Sequence, residues 1–397
     1  MPPKVLHVIA TMNPELGGVA KAVSLFSEGL ASQEIVNDIA TLDPPGASYF
    51  ANPSGKTYNL GPATKIWHYS SKLRPFLTEN FKNYDAVIAH GLWLHVTTAT
   101  AAAAKSRQNV GDKTQFFVMP HGMLDPWFQK APSRRLKAIR NLAYWHLLEK
   151  KNLASVDGLL FTCEKERELA KTTFSGYPDC AEHVVGLGVP SPPFPTSTGN
   201  ELGDYLLFLG RLDQKKNLHG LIRAYVKLAT KSATAVPGLV IAGPVNSPYA
   251  DEAISMAKES GLPTYLPGEV THRVENGWIS FEGMVSGDVK WNLLRNASAF
   301  VLASYQENFG IAVAEALACG TPVLISDQVN ICTEIEKERA GIVFEQSDSA
   351  LTNALNQWLD NVHSGATKGF RQRALECFSN HFEIDKVATR LAAVVSN

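Results

Sequence analysis

Two doubly wound α/β domains in tandem are the architecture this sequence predicts. Short apolar runs of strand length alternate with longer helical segments from the first residues onward. One stretch, Val189–Asp204 (VPSPPFPTSTGNELGD), interrupts that alternation with Pro, Ser, Thr and Gly, and at Tyr205 (YLLFLG) the alternation restarts. The expected division is an N-terminal domain over 1–190, a linker over 191–204, a second domain over 205–375 and a C-terminal helix over 376–397 able to pack back on the first domain. The 397 residues suffice for such domains, with the ligand expected in a cleft between them.

In the first domain Lys4–Ala10 (KVLHVIA) reads as a buried strand. The loop Thr11–Gly18 follows and leads into a helix from about Val19 to Ala31. It ends in Gly17-Gly18, where backbone can approach a ligand without Cβ interference. This loop lacks the G-x-G-x-x-G spacing, which argues against a dinucleotide-binding first turn. Asp85–His90 is the next strand, and Gly91–His95 opens an alanine-rich helix to about Lys105. Phe116–Pro120 is another, running into Pro120-His-Gly-Met-Leu-Asp-Pro-Trp127. Ligands of open parallel sheets bind beyond the carboxyl ends of strands, so His90 and His121 both face the expected cleft. His90 is read as a satisfied structural residue.

Ala131–Ala154 reads as one basic helix in which Arg134, Arg135, Lys137, Arg140, Lys150 and Lys151 oppose a single acid, Glu149. Leu136, Ile139, Ala143, Tyr144 and Leu147 recur at helical spacing and want a core. A packed surface helix with a solvated basic face is preferred over a docking face for anionic membrane or a lipid-diphosphate acceptor. Gly158–Thr162 and Val184–Leu187 are further strands.

In the second domain Tyr205–Gly210 is a strand whose exit loop carries Arg211 and Lys216, with a helix from about Leu218. A planar fork and a compact point charge together suit a diphosphate. Gly238–Gly243 and Trp278–Gly283 are strands, the second leading into Met284-Val285. Helices are expected near Tyr249–Ser260 and from Met284-Val285 to Asn296. Phe300–Ala303 is a strand, Ser304–Phe309 a loop and Gly310–Cys319 a buried helix. Gly320 then takes a left-handed cap, and Thr321-Pro322 precedes the strand Val323–Ile325. Gly341–Phe344 is a late strand, and Ser349–Val362 and Arg371–Val395 are helical.

Glu307 and Glu315 punctuate this unit at its loop and helix. At about 1.5 Å per helical residue they stand roughly 10 Å or more apart along the axis. A carboxylate pair cutting one bond needs roughly 5 to 9.5 Å. Two ends of an extended ligand fit better, with phosphate at the helix N-terminus between them. A nucleotide sugar has that layout: sugar at Glu307, diphosphate at the helix start, ribose hydroxyls at Glu315.

The run Glu307-Asn-Phe-Gly-Ile-Ala-Val-Ala-Glu315, continuing Ala-Leu-Ala-Cys-Gly-Thr-Pro-Val, resembles the Glu-x7-Glu segment of retaining family-4 glycosyltransferases of the GT-B fold. Gly210-Arg211 with Lys216 resembles the phosphate loop of the same enzymes. Pro120–Trp127 resembles a first-domain segment of members that assemble bacterial exopolysaccharide and other polysaccharides. The resemblance implies a GT-B architecture, two Rossmann-like domains facing across a cleft. It implies catalytic roles for His121, Arg211, Lys216 and Glu307, with His121 against the donor sugar. It further implies donor contacts from Gly17, Gly18, Arg211, Lys216, Met284, Val285, Glu307, Asn308, Phe309, Gly310, Ile311 and Glu315, with Glu307 holding sugar hydroxyls. No Asp-x-Asp occurs anywhere in the chain, so no metal or other cofactor is expected. The donor implied is a UDP-sugar, best UDP-glucose, with GDP-mannose as the rival. The acceptor implied is a saccharide or lipid-linked saccharide. A nucleotide-sugar epimerase or hydrolase of the same fold, or a non-catalytic nucleotide-sugar-binding protein, are the alternatives.

A net charge of −1 gives no global reason to expect nucleic acid as a partner. The five cysteines are scattered without metal spacing and read as reduced thiols of a cytoplasmic chain. MPPKVLHVIA is not a signal peptide, and no apolar run is long enough to span a bilayer. Peripheral attachment at the inner face of a membrane, through 131–154, remains open.

Overall fold

A computed structural model describes residues 3–107, 113–194, 202–269 and 276–396. The chain divides into two compact units, Met1–Gly188 with Ile384–Asn397, and Val189–Glu383. Half of the expected linker, 195–201, lies outside the described residues.

The first unit holds β1 (Lys4–Ile9), β2 (Val36–Thr41), β3 (Thr57–Asn59), β4 (Ala86–His90), β5 (Gln115–Met119), β6 (Gly158–Phe161) and β7 (Ala181–Val184). They form one sheet in the order β3-β2-β1-β4-β5-β6-β7, and every pair is parallel. β1, β4, β5 and β6 are almost wholly buried, as strands covered on both faces must be. Leu6, Val8, Val87, Phe116, Val118 and Phe161 contribute to one core.

The second unit repeats the plan. Its strands are β8 (Tyr205–Leu209), β9 (Gly238–Ala242), β10 (Thr264–Tyr265), β11 (Ile279–Gly283), β12 (Ala299–Leu302), β13 (Val323–Ser326) and β14 (Gly341–Phe344). Their order is β10-β11-β9-β8-β12-β13-β14, again parallel throughout. The first sheet reverses its order between β1 and β4, and the second has the corresponding reversal between β8 and β12. Such switch points open a crevice at the carboxyl ends of the strands.

Several local expectations need correction. The last strand of the first unit runs over Ala181–Val184, not Val184–Leu187. The amides of Val185 and Gly186 converge on the Phe161 carbonyl instead of continuing a ladder. The long helix expected over Arg371–Val395 is broken. Helix Thr367–Cys377 passes into a π-turn at Phe378–Phe382, and the extended Glu383 precedes a separate helix, Ile384–Val395. That last helix packs on helix Gly18–Ser32, where a Cβ on Gly29 would lie 3.0 Å from the Ala388 methyl.

The basic segment 131–154 departs furthest from expectation. It consists of a 3-10 turn at Pro132–Arg134, helix Arg135–Tyr144, a π-turn Trp145–Glu149 and a short helix Lys150–Leu153. Among the side chains it buries are Asn141, Tyr144, Trp145, Glu149, Asn152 and Leu153. Trp145 stacks on Phe174 at 4.9 Å and donates to the Ser175 carbonyl. Trp145 and Glu149, four residues apart, share the inward face. Of the apolar positions expected to seek a core, Tyr144 is buried but others are turned outward: Leu136 is 85%, Ile139 67% and Leu147 68% exposed.

Candidate functional site

β8 and β12 are neighbours flanking the switch point of the second unit, so the loops at their carboxyl ends meet. The amide of Tyr305 donates to the Lys215 carbonyl at 2.8 Å and ties the two loops directly. Asp213 caps the turn Gln214–Lys216 through the Lys216 amide, and Asn217 takes a left-handed conformation that starts the next helix. Lys216 Nζ thereby reaches Glu307 Oε2, and the two form an ion pair. Glu307 is clamped at its backbone as well: its amide donates to the Gln328 carbonyl, and its carbonyl accepts from the Asn330 amide, both at 2.9 Å. Burial pushes the Glu307 carboxyl up, but Lys216, Lys215 and Arg211 outweigh it and hold the group below its ordinary range.

Arg211 projects into solvent with its side chain 72% exposed, 3.7 Å from Asp213. Gly310, at φ +81°, caps helix Ile311–Ala318, which has no side-chain cap and no acid in its first turn. That N-terminus presents main-chain N–H groups close in sequence to Glu307. At the other side of this helix Glu315 is nearly buried and accepts from Lys290 Nζ at 2.8 Å. Lys290, a residue sequence reasoning missed, also lies over the Trp291 ring. Met284 and Val285 follow the end of β11, with Met284 exposed. Asn308 and Ile311 are half-buried. Phe309 is different: its ring packs edge-on against Phe382 at 5.5 Å in the core, so it offers a ligand only main chain.

Gly17, Gly18 and His121 belong to the first unit. Asp43, at the end of β2, holds the loop before Gly17, accepting from the Thr11 hydroxyl and the Met12 amide. Gly18 opens the helix Gly18–Ser32, which has no side-chain cap. His121 has φ +52°, and the next amide, Gly122, donates to the buried Glu166 carboxylate. Glu166 also accepts from the amide and hydroxyl of Thr162.

His121 is not alone. His90 Nδ1 lies 2.9 Å from His121 Nε2, and His7 Nδ1 lies 2.9 Å from His90 Nε2. The far nitrogen of His7 is buried without a partner. Burial lowers all three: His7 to about 4, His121 to about 3, and His90 well below its ordinary value. Three neutral imidazoles in a row have two proton arrangements. Either every ring donates toward His121 or every ring donates away from it, because His90 carries one proton for two bonds. The chain therefore ties the tautomer of His121 to rings deeper in the sheet. The reading of His90 as merely satisfied missed this, and His7 carries no local sequence signal at all.

Among the described residues, no three His, Cys, Asp or Glu side chains are grouped so that they could hold a metal ion. No helix among them is long and apolar enough to cross a membrane.

Residues 197–374 match the family model of the group 1 glycosyl transferases. Over most of its length the second unit is therefore similar to the group 1 glycosyl transferases. This domain carries the Lys216–Glu307 pair and the Gly310-capped helix. Among curated proteins, the chain is 28% identical over 144 residues to O-antigen chain mannosyltransferase B of Escherichia coli, covering 36% of this chain and 33% of that protein. The chain thus matches only about a third of that relative's length. It is 26% identical over 366 residues to glycogen synthase of Mycobacterium tuberculosis, covering 91% of this chain and 80% of that protein. Among solved structures, Anabaena HepE in complex with UDP and glucose superposes with a TM-score of 0.68 at 15% identity, over 99% of each chain. The fold is thereby GT-B, two Rossmann-like domains each built on a seven-stranded parallel sheet.

Proposed function

We propose that the chain is a retaining glycosyltransferase that moves a hexose, best glucose, from a UDP-sugar to a saccharide or lipid-linked saccharide acceptor in polysaccharide assembly. The observation that carries this reading is the Lys216–Glu307 pair set beside the N-terminus of helix Ile311–Ala318, at the switch point of a unit similar to the group 1 glycosyl transferases. Departure of the nucleoside diphosphate places new negative charge on the leaving oxygen. Arg211, Lys216 and the helix N–H groups are assigned to meet that charge, in place of a metal ion. Glu307 keeps its negative charge beside Lys216 and accepts from the sugar hydroxyls. Glu315 takes the ribose hydroxyls, its carboxylate oriented by Lys290. Met284-Val285 and Gly17-Gly18 are assigned to the base and the diphosphate, and His121 to the donor sugar.

Arg211→Ala tests the assignment most cleanly, because the exposed side chain supports no packing. Loss of one such donor raises a barrier by roughly 3 kcal/mol, so turnover falls about a hundredfold with melting unchanged. A loss of less than tenfold overturns the assignment of Arg211. Activity abolished by EDTA and restored by manganese would overturn the metal-free mechanism. The E. coli relative is named a mannosyltransferase, so GDP-mannose is the second donor to test. Thermal stabilisation by a panel of nucleotide sugars separates the two. Hydrolysis or epimerisation at full rate without acceptor would replace transfer by the alternative chemistry.

A further inference from the structure

The segment 131–154 leaves its apolar residues in water. Leu136, Ile139, Leu142, Leu147 and Leu148 are all exposed, as are Ile66, Trp67 and Tyr69 on the neighbouring loop. Single exposed leucines need no explanation, but a contiguous set of this size does. Beside them opens a cavity of about 550 Å³, walled by Trp67, Tyr69, Tyr144, Leu147 and Leu148 with Arg140 among its lining residues. That volume is typical of a ligand site. The Arg140 guanidinium lies 5.8 Å from the Trp67 ring. Arg134, Arg135, Lys137, Lys150 and Lys151 share the segment, and its only acid, Glu149, is wholly buried. Exposed apolar side chains, amphipathic aromatics and cations in a segment without an exposed acid are the chemistry of the boundary between lipid headgroups and acyl chains. A second copy of the chain on this face in two-fold symmetry would bring the same cations against each other.

We propose that this face docks on an anionic lipid bilayer, with the exposed leucines among the acyl chains, the arginines and lysines at the headgroup phosphates, and one lipid chain in the cavity beside Trp67 and Tyr144. The inference deepens the acceptor side of the function proposed above and rests on that reading for its purpose. The docking itself is measured without any sugar transfer.

The test is co-sedimentation of the full chain with vesicles of phosphatidylglycerol in phosphatidylcholine, against phosphatidylcholine alone. The chain sediments with the anionic vesicles and stays in solution with the neutral ones. Replacing Leu136, Ile139 and Leu147 together by Ser lowers the partition by more than about tenfold, since each lost apolar contact counts separately. Arg135→Glu with Lys137→Glu lowers it by about fivefold per charge removed or more, and removes most of its salt dependence. Brominated-chain lipid quenches fluorescence, and Trp67→Phe abolishes most of that quenching. Turnover on a water-soluble acceptor is unchanged in all three variants, which shows that they fold. Failure to sediment with anionic vesicles, or equal sedimentation with neutral ones, overturns the proposal. So does a dimer in solution that the triple Ser variant dissolves. Vesicle binding with no transfer to any acceptor would instead overturn the glycosyltransferase reading and leave the docking standing.

Discussion

Lys216 already holds Glu307 in place before any ligand arrives, and the pair shows how far single residues were legible. Both were readable as loop residues with a family spacing. Their contact, across 91 positions of sequence, was not. Lys290, Asp43, Glu166 and His7 escaped for the same reason: each acts on a partner far away in the chain and belongs to no local motif. The histidine chain gives the sharpest prediction at this scale. His90→Gln breaks the relay at its centre, so the ring nitrogen shifts of His121 move from one tautomer toward a mixture. Turnover falls about tenfold, less than the roughly 10²–10⁴-fold that a positioned acid or base itself contributes, with the donor KM little changed. Unchanged His121 shifts would show that the rings merely pack. The sign of the pH effect follows from burial. His7 titrates near 4 when folded and near 6.5 when unfolded, so the unfolded chain binds the extra proton. Stability is therefore whole above about pH 6.5 and drains away as pH falls toward 4. His7→Phe flattens that part of the profile, as read from urea midpoints at successive pH values.

Elements were legible where periodicity and punctuation agreed. β1, β4, β8, β9, β12 and β13 were apparent from apolar runs, and Gly320 has the expected left-handed φ of +69°. β2 (VNDIAT) was not, because Asn37 and Asp38 sit buried in it and look like loop. Asn37 is satisfied by Ser54, and Asp38 by Tyr84 and Lys4. The π-turns at Trp145–Glu149 and Phe378–Phe382 were illegible too, since one inserted residue changes which face is buried without leaving a composition signal. Gly310 supplies the prediction for an element. At φ +81°, with a Cβ landing 3.2 Å from Val313 and 3.5 Å from Glu307, a side chain is strained and crowded. Gly310→Ala costs about 1–2 kcal/mol of stability through the left-handed backbone alone. Nucleotide binding weakens with it, because the first helical turn shifts. Calorimetry and a thermal-shift titration with UDP check both, and full stability with normal UDP binding would refute the prediction.

For the whole molecule, two α/β domains were legible from strand–helix alternation, whereas the order of the strands within each sheet was not. The first unit takes back the last helix after the second unit is complete. Val387, Ala388 and Leu391 of that helix are buried, and Arg390 donates to the Val185 carbonyl. Ending the chain after Glu383 uncovers one face of helix Gly18–Ser32. Burying a side chain such as Val or Leu contributes about 1.5–3 kcal/mol, so the first unit loses several kcal/mol. Hydrogen exchange reads this directly: amides of Gly18–Ser32 lose protection, while those of β8, β9 and β12 keep theirs.

A ribosome making this protein releases the first sheet long before the segment that closes it. Until Ile384–Val395 emerges, Gly29 and its neighbours on helix Gly18–Ser32 stay open to water, through the synthesis of an entire second unit. Premature termination anywhere in that interval leaves a sticky, half-covered product, and its clearance falls to chaperones and proteases.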